Sequence, residues 1–427
     1  MDIQEIHSLF LKCSSISIDT RKIEENSMFV ALKGDRFDAN TFTKEALQKG
    51  AAFVIIDNSD YFIDNRTILV PESLKALQQL SQYHRTFLGL PIIALTGSNG
   101  KTTTKELISK VLAMKFNVKS TIGNLNNHIG VPLTLLSFTS KTEIGIVEMG
   151  ANHQQEIAFL CEIAKPDYGY ITNFGKAHLE GFGGIEGVIK GKSEMYDFLR
   201  KNNKVIFVNL DDTIQVKQSH AITNYTFGIQ NPLANVSIDA VTANPLVTVV
   251  YKNKVINSQL IGLYNANNIN AALTIGTFFK ITDAQIKVAL ENYIPENNRS
   301  QLITKNTNSI ILDAYNANPS SMKVAIENFL QLENPNKILV LGDMFELGTD
   351  SMKEHEGIVK MLSNTNNVHC YFVGKAFYKT KIDKTNFLFY ETFENFSSAF
   401  LNAKLKNTSI LIKGSRGMAL ERTLDLI

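Results

Sequence analysis

Short apolar runs alternate with helical apolar spacing along almost the whole chain, the pattern of strands and helices layered in α/β order. Runs at Met28 to Leu32, Ala52 to Ile56 and Ile68 to Val70, separated by turn-rich segments such as Gly34-Asp35-Arg36, describe a small α/β domain. A helix is predicted over Leu74 to Leu88, with Leu74, Leu77, Leu80 and Phe87 on its apolar face, and Gly89-Leu90-Pro91 ends it. Four brief apolar runs follow, Ile92 to Leu95, Ile144 to Val147, Tyr168 to Ile171 and Val205 to Val208. Each gives way to polar or glycine-rich residues, as buried parallel strands do. Helical spacing at Leu107, Ile108, Val111 and Leu112 lies between them, so ligands are expected at the carboxyl ends of these strands.

The polar cluster Pro295-Glu296-Asn297-Asn298 then interrupts the pattern, which restarts with strands at Ile310 to Leu312, Ile338 to Leu341, Cys370 to Val373 and Ile410 to Ile412. Helices are predicted at Met322 to Leu332 and Phe393 to Leu405. The expected organisation is three α/β domains. Residues 1–88 form a small N-terminal domain, 89–296 a central parallel-sheet domain and 297–427 a Rossmann-like C-terminal domain. A length of 427 residues suits three units at about 150 residues each.

Charge and composition mainly exclude. The 43 basic and 41 acidic residues are interspersed, so no basic stripe marks a nucleic-acid partner. No apolar run approaches the roughly 20 residues needed to cross a bilayer. Acids in Met1-Asp2-Ile3-Gln4-Glu5 oppose a secretory signal, and a cytoplasmic protein is expected. Cys13, Cys161 and Cys370 lack any CxxC spacing and are expected to be buried, inert thiols.

The chemistry concentrates at Thr96-Gly97-Ser98-Asn99-Gly100-Lys101-Thr102-Thr103, which runs from an apolar strand through small residues into a helix. Such a turn lets backbone N–H groups converge on phosphate oxygens, a lysine neutralise the outer phosphates and a threonine hydroxyl bind magnesium. The generic motif has a glycine where this chain has Leu95, and Gly97 takes that part.

This loop resembles the ATP loop of the Mur ligase family, whose members build the peptide stem of bacterial peptidoglycan. Phe29 to Gly34, Asn126 to Pro132, Glu148-Met149-Gly150 and Asn173 to Leu179 resemble the family too, as do Asp313 to Pro319, Leu341 to Gly348 and Lys413 to Gly417. The resemblance implies a cytoplasmic, ATP- and Mg²⁺-dependent carboxylate–amine ligase working through an acyl-phosphate. Its implied substrates are UDP-N-acetylmuramoyl-tripeptide and D-alanyl-D-alanine, and it is expected to be a monomer. Ligases adding one amino acid to a UDP-muramoyl chain or glutamate to a folate remain alternatives, as does a nucleotide-driven switch.

Residue roles follow from the same resemblance. It gives Lys101 to the phosphates, Thr102 and Glu148 to magnesium, and His178 to a second magnesium, although magnesium prefers oxygen. Lys192 would carry a carbamate that helps bind metal; read without the resemblance, Lys190 and Lys192 are surface charges. Asn265 and Asn268 approach the nucleotide base or cap a helix, with Tyr264 standing where the family has histidine. Arg299, after Asn298 in place of the family's glycine, faces the γ-phosphate or forms a surface ion pair. His355 is placed near the nucleotide. Asp313, Asn316, Asn318, Ser415 and Arg416 face the acceptor, with Asp313 drawing its ammonium. Thr20 and Arg21 are given to the UDP-sugar, with Ala39-Asn40 replacing a usual glycine-histidine pair. Asn124, Asn126 and Asn127 line the path to the muramoyl peptide or form turns.

Overall fold

The computed structural model describes every residue except 36, 297, 366 and 402–404. Arg36 of the early turn, Asn297 of the polar cluster and part of the helix predicted to Leu405 therefore lie outside the described residues.

The architecture is α/β throughout, with successive sheets along the chain. A four-stranded parallel sheet comes first, in the order Ile16–Ser17, Ser27–Val30, Ala51–Ile56, Thr67–Leu69. Helix Ser73–Leu88 packs on it through Ala76, Leu77 and Leu80 and stops at Gly89, which takes the left-handed conformation of a helix end. One expectation fails here, because Phe87 is 59% exposed and His84 occupies the buried face instead. The histidine is tolerated because both ring nitrogens are bonded. Nδ1 lies 2.9 Å from His7 Nε2, and Nε2 lies 2.9 Å from the Phe138 carbonyl.

The central sheet has seven parallel strands in the order Val236–Ile238, Thr223–Ile229, Val205–Asn209, Tyr168–Ile171, Ile92–Thr96, Ile144–Glu148, Val118–Ser120. Its middle strands are apolar at nearly every position because helices cover both faces. Helix Lys101–Leu112 buries Leu107, Ile108, Val111 and Leu112 against one face, and helix Ala266–Phe278 packs on that helix in turn. An antiparallel sheet of Ala240–Ala243, Leu246–Tyr251 and Lys254–Ile261 completes this part of the chain. The last sheet orders Gln301–Lys305, Asn308–Asp313, Ser409–Lys413, Lys337–Gly342, His369–Val373, Phe387–Tyr390, parallel except at its first pair. Cys161 and Cys370 are buried, whereas Cys13 is partly exposed, and none forms a disulfide.

Burial, reinforced by the nearby His84, depresses the His7 pKa from about 6.5 to about 4. The unfolded chain therefore takes up a proton first as pH falls, and stability should drop between pH 6.5 and pH 4. Urea unfolding at pH 7 and pH 4.5 should show a smaller loss for His7→Phe than for the wild type.

Candidate active site

Strand Ile92–Thr96 lies between Tyr168–Ile171 and Ile144–Glu148, so the chain turns to opposite sides of it and leaves a crevice at its carboxyl end. The loop in that crevice depends on two glycines, Gly97 at φ 143° and Gly100 at φ 78°. L-residues rarely adopt these angles, and a Cβ on Gly97 would sit 2.0 Å from Thr172 Oγ1. The loop is tied to the neighbouring strand's exit: Ser98 N donates to Asn173 O, and Asn99 N donates to Asn173 Oδ1 at 3.1 Å. Ser98 Oγ donates to Gly175 O at 2.7 Å, and the Thr172 hydroxyl donates to Asn99 O. Gly100, Lys101, Thr102 and Thr103, the N-terminus of helix Lys101–Leu112, open into the cleft with unspent amides and a positive dipole end. Thr96 is fully buried beneath them, and among the described residues its hydroxyl has no partner.

Beside the loop, Thr102 Oγ1 donates to Glu148 Oε2 at 2.9 Å and Asn126 Nδ2 donates to Oε1 at 2.9 Å. Glu148 is 1% exposed, and buried Lys105 lies 3.9 Å from its carboxylate while donating to Thr121 O. A hydroxyl and a carboxylate next to a phosphate cradle suit Mg²⁺, which takes one or two protein oxygens and completes its shell with phosphate and water. Among the described residues no three His, Cys, Asp or Glu side chains converge on a metal-sized space. Lys101 Nζ folds back onto Gly97 O at 2.7 Å, and burial lowers its pKa against the opposing pull of Glu148. The loop thus holds a desolvated cation and free amides, a fit for a polyphosphate.

Lys192 lies inside helix Ile185–Lys201 and is 1% exposed, whereas Lys190 faces solvent. The surface reading therefore fails for Lys192. Burial and the charge of Lys101 hold its pKa well below the usual lysine value, and no acid among the described residues pairs with it. Asn265 makes no capping bond. Its Nδ2 donates to Ile261 O, and its Oδ1 accepts from Asn268 Nδ2 at 2.8 Å. Asn268 Oδ1 in turn accepts from Thr104 Oγ1, so both asparagines line the cleft while bracing the phosphate-loop helix.

The last sheet meets this loop directly. Asn318 caps helix Pro319–Leu330 through Oδ1 and donates from Nδ2 to Asn99 Oδ1 at 2.7 Å. Lys176 pairs with Glu354 at 2.7 Å, and His178, at φ 53°, gives its Nδ1 to Glu346. His178 thus lines the cleft with its ring engaged by Glu346, not by the Thr102–Glu148 pair. Arg299 also lines the cleft, its guanidinium 3.6 Å above the Tyr315 ring centroid. Asn298 stands at φ 57°, an angle asparagine tolerates better than most residues, and so supports the turn in glycine's place.

Asp313 lines the cleft. Its carboxylate accepts from Ser300 N at 3.1 Å and pairs with buried Lys413, so its charge is already met inside the protein. Ser415 accepts from Phe345 N, Asn316 accepts from Ala317 N, and Arg416 is exposed and paired with Glu421; all three line the cleft. Asn124, Asn126 and Asn127 line it too, and Asn127 also receives the amides of Ile129 and Gly130 as a turn residue. His355 does not line it. Fully buried, it accepts from Met344 N at one ring nitrogen and bonds Ser351 O at the other, which braces the loop after Gly342. Thr20 and Arg21 also lie away from the cleft, with Arg21 paired to its own neighbour Asp19. Asn40 is buried and donates to both Asp38 and Asp57, which ties its own turn to the end of strand Ala51–Ile56.

Family models match three stretches: "Mur ligase family, catalytic domain" over residues 12–85, "Mur ligase middle domain" over 95–276 and "Mur ligase, glutamate ligase domain" over 298–416. The UDP-N-acetylmuramoyl-tripeptide–D-alanyl-D-alanine ligase of Bacillus subtilis is 35% identical over 424 residues, covering 96% of this chain and 93% of that one. The chain belongs to the Mur ligase family. The Escherichia coli enzyme of the same name is 31% identical over 439 residues, covering 98% of this chain and 95% of its own. Among solved structures, MurF from Acinetobacter baumannii superimposes with a TM-score of 0.87 at 29% identity, covering 99% of this chain and 98% of that one. MurF from Thermotoga maritima in complex with ADP gives 0.84 at 27% identity, covering 98% and 97%.

Within this Mur ligase fold, sequence reasoning passed over Lys105, Lys413 and Tyr264's partner Ser300 as site residues. Lys105 shows only as a lysine one helical turn beyond Lys101, and Lys413 only as a charge ending an apolar strand. Gly97→Ala should abolish binding of a fluorescent ADP analogue while lowering stability by about 1–3 kcal/mol. Equilibrium titration and thermal unfolding check this together, and ADP binding at wild-type strength would contradict the loop's geometry.

Proposed function

We propose that this Mur ligase joins D-alanyl-D-alanine to UDP-N-acetylmuramoyl-tripeptide at the expense of ATP. One observation carries the reading: the phosphate loop, the Thr102–Glu148 pair and Arg299 open into one cleft of about 1360 Å³. That cleft also reaches Gln78 of the first sheet's helix and Asn316 and Ser415 of the last sheet, leaving room for three substrates. Full-length likeness to ligases named for this reaction supports the choice of substrates. We propose the limits 1–88, 89–296 and 297–427 for the units that hold UDP-sugar, ATP and dipeptide. Thr20 and Arg21 would serve the UDP-sugar.

The tripeptide carboxylate attacks the γ-phosphorus and ADP leaves; the dipeptide amine then attacks the acyl carbon, loses a proton and expels phosphate. Alignment and charge neutralisation dominate such transfers, so the Lys101 ammonium, the free amides of Gly100, Lys101, Thr102 and Thr103, and Arg299 hold the phosphates in line. Thr102 and Glu148 would hold magnesium, which would supply further positive charge near the phosphates. His178 would join a second metal after parting from Glu346. Lys192, whose pKa burial holds well below the usual lysine value, is the amine that would add to carbon dioxide and release a proton to give a carbamate. Asn265 and Asn268 flank the base, while Asn124, Asn126 and Asn127 line the muramoyl-peptide side and Asn316, Asn318, Ser415 and Arg416 the acceptor side. No helix of the described residues is long and apolar enough to cross a membrane, and a cytoplasmic monomer suits a cleft complete within one chain.

Mass spectrometry after incubation with UDP-N-acetylmuramoyl-tripeptide, ATP, Mg²⁺ and D-alanyl-D-alanine should show the extended peptide with one phosphate released per bond. Lys101→Ala should lower the rate by about 10²-fold or more while circular dichroism stays unchanged. Preferential use of single amino acids or a folate acceptor, or ATP hydrolysis without a peptide product, would refute the assignment.

A further inference from the structure

Arg299 stands on a turn whose two flanking residues are both left-handed, Asn298 at φ 57° and Ser300 at φ 47°. Such angles cost non-glycine residues about 1–2 kcal/mol each and persist only where surrounding bonds impose them. Those bonds come from two sides. From the last sheet, Tyr315 N donates to Asn298 O at 3.2 Å and Ser300 N donates to Asp313 Oδ1 at 3.1 Å. From the middle of the chain, the Tyr264 hydroxyl meets Ser300 Oγ at 2.7 Å.

Asp313 is itself held. It is the register neighbour of Lys413 on the adjacent parallel strand, and Lys413, 1% exposed, pairs with its free oxygen and reaches toward Asn316 O. A buried lysine is costly unless its charge is used, and here the carboxylate it meets among the described residues also grips the Arg299 turn. Arg299 Nε is buried, and among the described residues it has no partner, while its guanidinium rests on Tyr315 at the cleft. That donor is unspent.

We propose that Lys413, through Asp313, and Tyr264, through the Ser300 hydroxyl, are positioning residues that hold Arg299 toward the phosphates undergoing transfer. The proposal rests on the phosphoryl-transfer reading of Arg299 given above. It makes Lys413 neither an acceptor-binding group nor a general stabiliser, although it lines the cleft close to Asn316 and Ser415. A guanidinium displaced by a fraction of an ångström loses most of its value for a developing charge.

The test is a pair of double-mutant cycles on the full chain, read as kcat, KM for D-alanyl-D-alanine and thermal midpoint. Arg299→Ala should lower kcat about 100-fold, and Lys413→Met and Tyr264→Phe about tenfold or less each, with KM for the dipeptide unchanged. In the Arg299→Ala background both second substitutions should cost nothing further in kcat. Losses that multiply in both cycles, or a KM rise on Lys413→Met, would overturn the positioning role. If Lys413→Met fails to fold, the Tyr264→Phe cycle decides alone. Wild-type kcat in Arg299→Ala would instead overturn the reading of Arg299 itself.

Discussion

Everything in the site hangs on the backbone path from Thr96 to Lys101. A parallel strand must end, turn within four residues and begin a helix whose first amides point outward, and Gly97 and Gly100 permit that turn. The constraint spreads outward. Because the strand is central, its neighbours deliver Glu148 on one side and Thr172 with Asn173 on the other. Asn99, the loop's own side chain, receives Asn318 from the last sheet, so the loop is a cradle and also the surface on which the far part of the chain docks.

The second shared feature is an excess of sheltered positive charge. Lys105, Lys192 and Lys413 are each at most 2% exposed, and Lys101 is desolvated at the loop, while among the described residues the acids beside them are Glu148, Asp313 and the partly exposed Glu106. Burying a cation without compensation is unfavourable; Lys105 and Lys413 meet carboxylates of the protein, and the cation left facing the cleft at Lys101 suits phosphate from outside. Lys192 shows the alternative, a lysine driven toward neutrality where no anion is supplied. Two lysines one helical turn apart, Lys101 and Lys105, divide these tasks between ligand and Glu148.

The sequence was most readable where one local rule governs. Continuous apolar runs bounded by polar turns marked the central strands because both faces are covered, and the glycines and Lys101 exposed the loop because its chemistry needs those residues at those spacings. Legibility failed where a residue's partner lies far along the chain. Asp313 reads as a free acid until the register brings Lys413 beside it, 100 residues later. His84 and Phe87 share a helix turn, and only the distant His7 and Phe138 decide which is buried. His355 could be read as a ligand because no local pattern reveals that Met344 N and Ser351 O occupy both its nitrogens.

The same contrast explains how one chain can combine a rigid cradle with a surface that must admit large substrates. The loop is tied by several short bonds to its own sheet, whereas the C-terminal part reaches the loop itself through Asn318–Asn99 and the exit of the neighbouring strand through Lys176–Glu354, His178–Glu346 and Lys176 N–Ser320 Oγ. Exposed or partly exposed polar pairs contribute little each and reform easily in water. The Arg299 turn, bonded to both Tyr264 and Asp313, is the point where the middle of the chain and the last sheet are joined beside the cleft.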